Sequence, residues 1–194
     1  MISKFSVEDF MNKNLDYFDR NNFSFFEMTV GLAFDHFNNE NVDIAIIEVG
    51  MGGRLDSTNI INPILSIITN ISLDHMKFLG NNIFDIAKEK AGIIKKNTPI
   101  VVGETQDKIK SIFIDFASTK SSEIVFADDF MYDNYECDLQ GNYQKKNIKT
   151  VLKSVELLKD NGYKISKVNL EDGLKKVVSN TGFQGRWQVL QNEP

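Results

Sequence analysis

A carboxylate closes an apolar run and opens at once into a glycine-rich, charged loop, and chemistry sits at such edges. The stretch reads EVGMGGRLDSTN, from Glu48 to Asn59. Val42 to Ile47 before it form a short, nearly continuous β-branched run of the kind buried on both faces of a parallel sheet. Ligands of open α/β sheets collect at the carboxyl ends of such strands. Glycines at 50, 52 and 53 remove three Cβ atoms, which frees the backbone for positive φ, close approach to a ligand and an anion-binding concavity of amides. Arg54 and Asp56 add one charge of each sign. The plainer alternative is a tight turn whose glycines only satisfy geometry; the neighbouring Glu48, Arg54 and Asp56 argue for a ligand site.

His75 falls just past the next expected strand, residues 64–69. Strand ends of a parallel sheet face one edge, so Glu48 and His75 could share a divalent cation, oxygen ligation suiting magnesium and imidazole widening the choice to manganese. Taken alone, Asp74-His75 also fits a capping or core histidine. Lys90, in the last turn of an expected helix 83–91, complements the helix dipole in its ordinary reading. His36 reads as a helix-terminal surface residue rather than a ligand.

These residues need a scaffold. Residues 7–20 read as a helix with Ser6 as N-cap, Glu8 and Asp9 in its first turn, and Phe10, Leu15 and Phe18 as anchors. Ser24-Phe-Phe-Glu27 is a capping box that opens a second helix to about residue 38. Its apolar stripe, including Phe26, Val30 and Phe34, has helical spacing. Strands at 42–48, 64–69, 99–102 and 123–126 alternate with helices at 83–91 and 106–118. That rhythm predicts an α/β fold, a mainly parallel sheet flanked by helices. An irregular or antiparallel stretch to Leu139 follows, then helices at about 143–160 and 167–179 joined by an Asn161-Gly162 C-cap turn, and a strand beginning at Trp187.

Composition bounds the rest. With 42% hydrophobic and 25% charged residues the chain is of ordinary globular type. A net charge of −5 gives no support to a nucleic-acid surface. No apolar stretch approaches the roughly 18 residues of a membrane span, and the first residues lack a secretion-signal profile. The single Cys137 excludes an intrachain disulfide and a cysteine-rich zinc site. The cytosol is the expected compartment. Three arginines stand against nineteen lysines, and Arg54 and Arg186 each follow a glycine.

EVGMGGRLDSTN, followed by ITNISLDHMKFLG and IAKEKAGIIK, resembles the central ATPase domain of the folylpolyglutamate synthase/dihydrofolate synthase family, within the Mur ligase superfamily. SFFEMTVGLAF upstream, and LQGNYQKKN and GFQGRW downstream, are similar to further family segments in the right order, so the resemblance covers about residues 20–190. It implies an ATP-dependent ligase of folate biosynthesis and one-carbon metabolism. Such enzymes add L-glutamate to dihydropteroate or tetrahydrofolate through an acyl phosphate, with ATP as co-substrate and Mg2+ as metal. By the same resemblance Glu48 and His75 are the metal ligands. Lys90 is the catalytic lysine, carboxylated on its amine and facing the metal indirectly. Phe26, Asp56 and Ser57 line the pterin pocket, Asn147 approaches adenine and Arg186 the ATP phosphates. Family members often have histidine where Tyr143 stands.

One family element has no counterpart. The P-loop pattern G-x-x-x-x-G-K-[ST] occurs nowhere in the 194 residues. The expectation is therefore a middle piece truncated at both ends: residues 1–183 as a partial ATP-binding central domain without its P-loop strand, and residues 184–194 as linker and start of a C-terminal domain. Alone it should turn over slowly or not at all, and the sheet edge left exposed suits an oligomer. The alternatives are a noncatalytic truncated paralogue serving as a binding or assembly module, and another Mur-type amino-acid ligase.

Overall fold

The computed structural model describes residues 2–132 and 135–184, and the chain divides into two compact units between Ile61 and Asn62. In the first unit, α1 (Lys4–Asn21) begins at Ser3, whose hydroxyl accepts from the Ser6 amide at 3.0 Å. The expected cap was Ser6. The chain starts its helix one turn earlier because Ser3 takes the extended cap conformation, so Glu8 and Asp9 fall beyond the first turn. α1 ends at Asn22, a left-handed residue of a type that tolerates φ of 52°. α2 (Phe25–Asn39) has the full capping box: the Glu27 amide donates to the Ser24 hydroxyl at 3.2 Å, and the Ser24 amide donates to the Glu27 carboxylate at 2.7 Å. The Ser24 hydroxyl and amide hold the Glu27 carboxyl below its ordinary range. Phe18 packs against Phe10 and Phe23, with ring centroids 5.8 and 5.4 Å away, and is buried with Val30 as the anchor of this unit.

The expected strand 42–48 is not formed. Residues 44–49 carry no strand pairing, and Ile46 is 91% exposed. β-branched residues favour an extended backbone, but a strand exists only through its ladder partner. Among the described residues none pairs with this segment.

The second unit holds the sheet. β1 (Ser66–Ile68) is followed by α3 (Met76–Leu79) and α4 (Ile83–Ala91), β2 (Ile100–Val102) by α5 (Asp107–Thr119), and β3 (Ile124–Phe126) by a 3-10 turn at Ala127–Asp129. The order is β1-β2-β3, all parallel, with Ser66, Ile100 and Ile124 in register. Side chains alternate across the sheet. Ile68, Ile100 and Val102 join Ile86 of α4 and Ile109 and Phe113 of α5 in the main core. Val101 points the other way, to a smaller cluster with Ala127 and Leu157. Leu157 belongs to α6 (Gln144–Asp160), which covers that second face. Burying each large side chain contributes about 1.5–3 kcal/mol, enough to make this three-layer arrangement the stable part of the unit.

α4 matches its expected bounds, begun by Asn82, whose side chain accepts from the Asp85 amide, and stopped at Gly92. α6 ends in the Asn161-Gly162 turn, where Gly162 takes φ of 95°. The helix expected at 167–179 is two: α7 (Lys167–Lys175) and α8 (Val177–Thr181). Asp138 explains the break, because its carboxylate accepts from the Val177 and Val178 amides at 3.2 and 2.9 Å and so starts a new helix there. The stretch between the 3-10 turn and α6 is irregular where described, and the strand expected at Trp187 lies outside the described residues. Among the described residues no helix is long and apolar enough to cross a membrane.

Within α6, the Lys153 side chain is only 7% exposed, paired with Glu156 at 2.9 Å and set over the Phe130 ring at 4.1 Å. The Tyr132 hydroxyl is buried nearby and has no hydrogen-bond partner among the described residues. Burial, and then the Glu156 charge, push its pKa from 10 up to about 12. The fold thus prefers the neutral phenol: its contribution is complete below pH 10 and is lost as pH rises toward about 12. Spectrophotometric titration should show one late-ionising tyrosine that disappears in Tyr132→Phe. That variant should match the parent's stability at neutral pH, because the hydroxyl it removes is unpartnered, and should resist alkali better.

Candidate active site

In the first unit the glycine loop is folded by one acid. Asp56 accepts from the Met51 amide at 2.9 Å through one carboxylate oxygen. Through the other it accepts from the Thr58 amide at 3.0 Å and the Thr58 hydroxyl at 2.5 Å. It thereby caps the 3-10 helix Ser57–Ile60 and draws the two ends of the loop together. Gly52 takes φ of 69°, which glycine adopts without strain. A Cβ on Gly50 would lie 2.3 Å from Phe26 Cζ, so the absence of a side chain lets the Phe26 ring lie on the loop. Phe26 stays 40% exposed, and α2 packs on the 3-10 helix that begins with half-buried Ser57. The fold therefore gathers Phe26, Asp56 and Ser57 around one loop. Glu48 precedes this loop and is exposed.

The expected role of Asp56 was a hydrogen bond to a ligand ring; here both its oxygens already bind the loop. A carboxylate has about four lone-pair sites, so three internal bonds leave capacity for one more partner. Asp56→Ala should release two amides and a hydroxyl and destabilise the first unit by about 2–3 kcal/mol, whereas Asp56→Asn, which retains one acceptor oxygen, should lose about half as much. Urea unfolding followed by circular dichroism checks both values.

In the second unit His75 follows the carboxyl end of β1, while Lys90, Tyr143 and Asn147 stand on or beside helices. After β1 the chain turns through Ser72, whose hydroxyl donates to Asp74, to His75, which is exposed and left-handed with φ of 53°. The His75 carbonyl accepts from the Phe78 and Leu79 amides at 2.9 and 3.0 Å, which starts α3. Lys90 sits half-buried in the last turn of α4. Asn147, half-buried in the first turn of α6, donates to the Gln144 side chain at 3.0 Å. Tyr143 lies just before α6, its ring lodged where a Cβ on Gly141 would be only 2.6 Å away. His36, as expected, sits near the end of α2, its Nδ1 4.0 Å from a Glu40 carboxylate oxygen. Arg186 lies outside the described residues.

Glu48 belongs to the first unit, and His75 and Lys90 to the second. Among the described residues no group of three or more His, Cys, Asp or Glu side chains gathers as a metal site. The expected set contains only two residues of those types beside a lysine. Its donors, carboxylate oxygen and imidazole nitrogen, fit magnesium or manganese chemically.

The sequence reading missed the loop after β2. Gly103, Glu104, Thr105 and Gln106 each meet a different partner. A Cβ on Gly103 would lie 2.5 Å from the Thr69 carbonyl and 2.6 Å from the Thr150 hydroxyl. Glu104 pairs with Lys146 of α6 at 2.7 Å. Thr105 donates its amide and hydroxyl to Asp128, each at 2.7 Å. Gln106 exchanges two hydrogen bonds with the Ile71 backbone. Burial raises the Asp128 pKa, but the Thr105 bonds, with help from Lys110, outweigh it and hold the carboxyl below its usual range. The signal was present: four small or polar residues directly after a buried strand, the same cue that drew attention to Glu48.

Residues 10–176 match the family described as Mur ligase middle domain. The chain is 34% identical over 193 residues to the dihydrofolate synthase/folylpolyglutamate synthase of Bacillus subtilis, covering 87% of this chain and 44% of that protein. It is 35% identical over 182 residues to a probable dihydrofolate synthetase of Schizosaccharomyces pombe, covering 84% of this chain and 42% of the relative. A structure described as an FPGS-AMPPCP-folate complex is similar with a TM-score of 0.80 and 28% identity, over 88% of this chain and 48% of that one. The chain thus spans somewhat over two fifths of the length of these curated relatives. On the match to 10–176 and the three-stranded parallel sheet between helices, the chain belongs to the Mur ligase family, as its α/β middle domain.

Proposed function

We propose that the chain is the central domain of a cytosolic ATP-dependent ligase that joins L-glutamate to the carboxylate of dihydropteroate or a tetrahydrofolate. One observation carries this reading: Phe26 lies against Gly50 of a loop that Asp56 holds closed, a half-exposed aromatic face beside polar loop groups. A flat, hydrogen-bonding pterin suits such a surface. The names of the relatives and the ATP analogue and folate in the similar structure support the same substrates.

In this reading the γ-phosphoryl group of ATP passes to the substrate carboxylate with release of ADP. The glutamate nitrogen then attacks the acyl carbon, loses a proton, and phosphate leaves. Glu48 and His75 would hold Mg2+, which when bound neutralises charge on the phosphoryl oxygens. Lys90 would form a carbamate, its neutral amine bonding the carbon of CO2 with loss of one proton, which turns a cation into an anion able to face the metal. Asn147 would meet adenine and Arg186 the phosphates. Residues 1–183 would form the ATP-binding part, with 184–194 leading toward a further domain. Because these 194 residues contain no G-x-x-x-x-G-K-[ST] loop, the chain by itself is expected to show little or no turnover.

Calorimetry with dihydropteroate, beside an ADP-release assay with glutamate, tests the proposal. Pteroate binding that weakens about tenfold or more in Phe26→Ala, with negligible ADP release, is the expected result, an aromatic contact and its buried area together reaching that size. Absence of pteroate binding, or preference for a UDP-sugar peptide, would overturn the substrate assignment. ADP release at the rate of an ordinary ligase would overturn the inactivity.

A further inference from the structure

Gln106 occupies the N-cap of α5, a position where Ser, Thr, Asp or Asn would serve the helix better. Its side chain makes no cap bond there. Instead its amide oxygen accepts from the Ile71 amide at 2.9 Å, and its amide nitrogen donates to the Ile71 carbonyl at 3.0 Å. A glutamine amide carries one donor and one acceptor in the spacing of a peptide group, so the pair imitates one rung of a strand ladder. It adds one rung three residues past Ile68, the last residue of β1, and fixes Ile71, which is 4% exposed. His75 lies four residues further along the same loop in a left-handed conformation.

The neighbours of Gln106 reinforce the anchor. Thr105 is tied to Asp128 beyond β3, and Glu104 to Lys146 in the first turn of α6. The loop after β2 is thus held from two sides while Gln106 reaches toward a third.

We propose that Gln106 is a positioning residue: its clasp on Ile71 sets the 70–75 loop so that the His75 imidazole is presented to its ligand at the carboxyl edge of the sheet. The metal-binding consequence rests on the proposed role of His75; the presentation of the ring does not.

The chain has two histidines, so His36 is an internal control in imidazole NMR spectra. Two variants remove the clasp in different ways: Gln106→Leu keeps the bulk, and Gln106→Ser supplies a preferred helix cap and guards against a general loss of folding. In both, Ile71 amide exchange should accelerate about tenfold and the His75 ring signals should shift, with His36 unchanged. Broadening of His75 by Mn2+ alone should need roughly three- to tenfold more metal. Unchanged Ile71 exchange, or faster exchange with His75 signals identical to those of the parent chain, overturns the proposal. Failure of Mn2+ to broaden His75 in the parent refutes the metal role instead, and the metal-free His75 shift still decides the role of Gln106.

Discussion

Replacing His75 with glycine, or Glu48 with glutamine, is expected to weaken Mn2+ binding at least about tenfold while moving the melting temperature by no more than about 2 °C. The first figure follows from ligand geometry: losing a group that merely orients a metal ligand lowers affinity about 10–100-fold, and losing the ligand itself does no less. The second follows from exposure. Both side chains are exposed, and surface substitutions of this kind change stability by about 0.5 kcal/mol or less. Glycine is the right replacement at 75 because the backbone there has φ of 53°, which alanine tolerates poorly and glycine takes freely. Calorimetric titration with Mn2+ and a thermal melt measure the two effects on one sample. Metal binding unchanged in both variants would remove these residues from the metal site.

The second large effect is structural. Gly103→Ala should destabilise the sheet-bearing unit by about 2–3 kcal/mol, a fall of roughly 5–10 °C in melting temperature. The added methyl would meet the Thr69 carbonyl at 2.5 Å and the Thr150 hydroxyl at 2.6 Å. A threonine side chain can turn away, but the Thr69 carbonyl is backbone at the end of β1 and cannot. Relief requires β1 and β2 to part at their carboxyl ends, where the Gly103 amide donates to the Ile68 carbonyl at 2.8 Å. Thr150→Ala should therefore restore only part of the loss. Full rescue by that second change would mean that the hydroxyl, not the backbone, sets the limit.

Local signals were read correctly where the structure depends on local chemistry. The Ser24 and Glu27 capping box, the α4 boundaries at Ile83 and Gly92, and the Asn161-Gly162 turn are decided by residues within one helical turn of each other. Apart from the cap of α1, where Ser3 rather than Ser6 starts the helix, the errors arose where a distant group decides. Residues 42–48 have strand composition, yet pairing needs a neighbour, and the described sheet contains only β1, β2 and β3. Asp138 splits a continuous helical pattern at Lys176 from almost forty residues away, which no periodicity reveals.

The site divides in the same way. The Phe26, Asp56 and Ser57 grouping was legible because the loop and its capping acid are adjacent in sequence and Phe26 follows from the resemblance. That Asp56 spends both oxygens on its own loop was not legible, since an acid before Ser-Thr reads equally as a ligand contact or a cap. The hub from Gly103 to Gln106 was missed because its partners, Thr69, Lys146, Asp128 and Ile71, come from segments that meet only in the folded sheet.

The central claim is that Glu48 and His75 bind one cation, with a carbamate on Lys90 facing it. Anomalous diffraction from crystals of the chain grown with Mn2+ and bicarbonate measures this directly. The expected result is one manganese peak within about 2.5 Å of both a Glu48 carboxylate oxygen and a His75 ring nitrogen, with density extending beyond the Lys90 amine toward it. Manganese bound by only one of the two residues, with the other turned to a separate face of the molecule, would contradict the account.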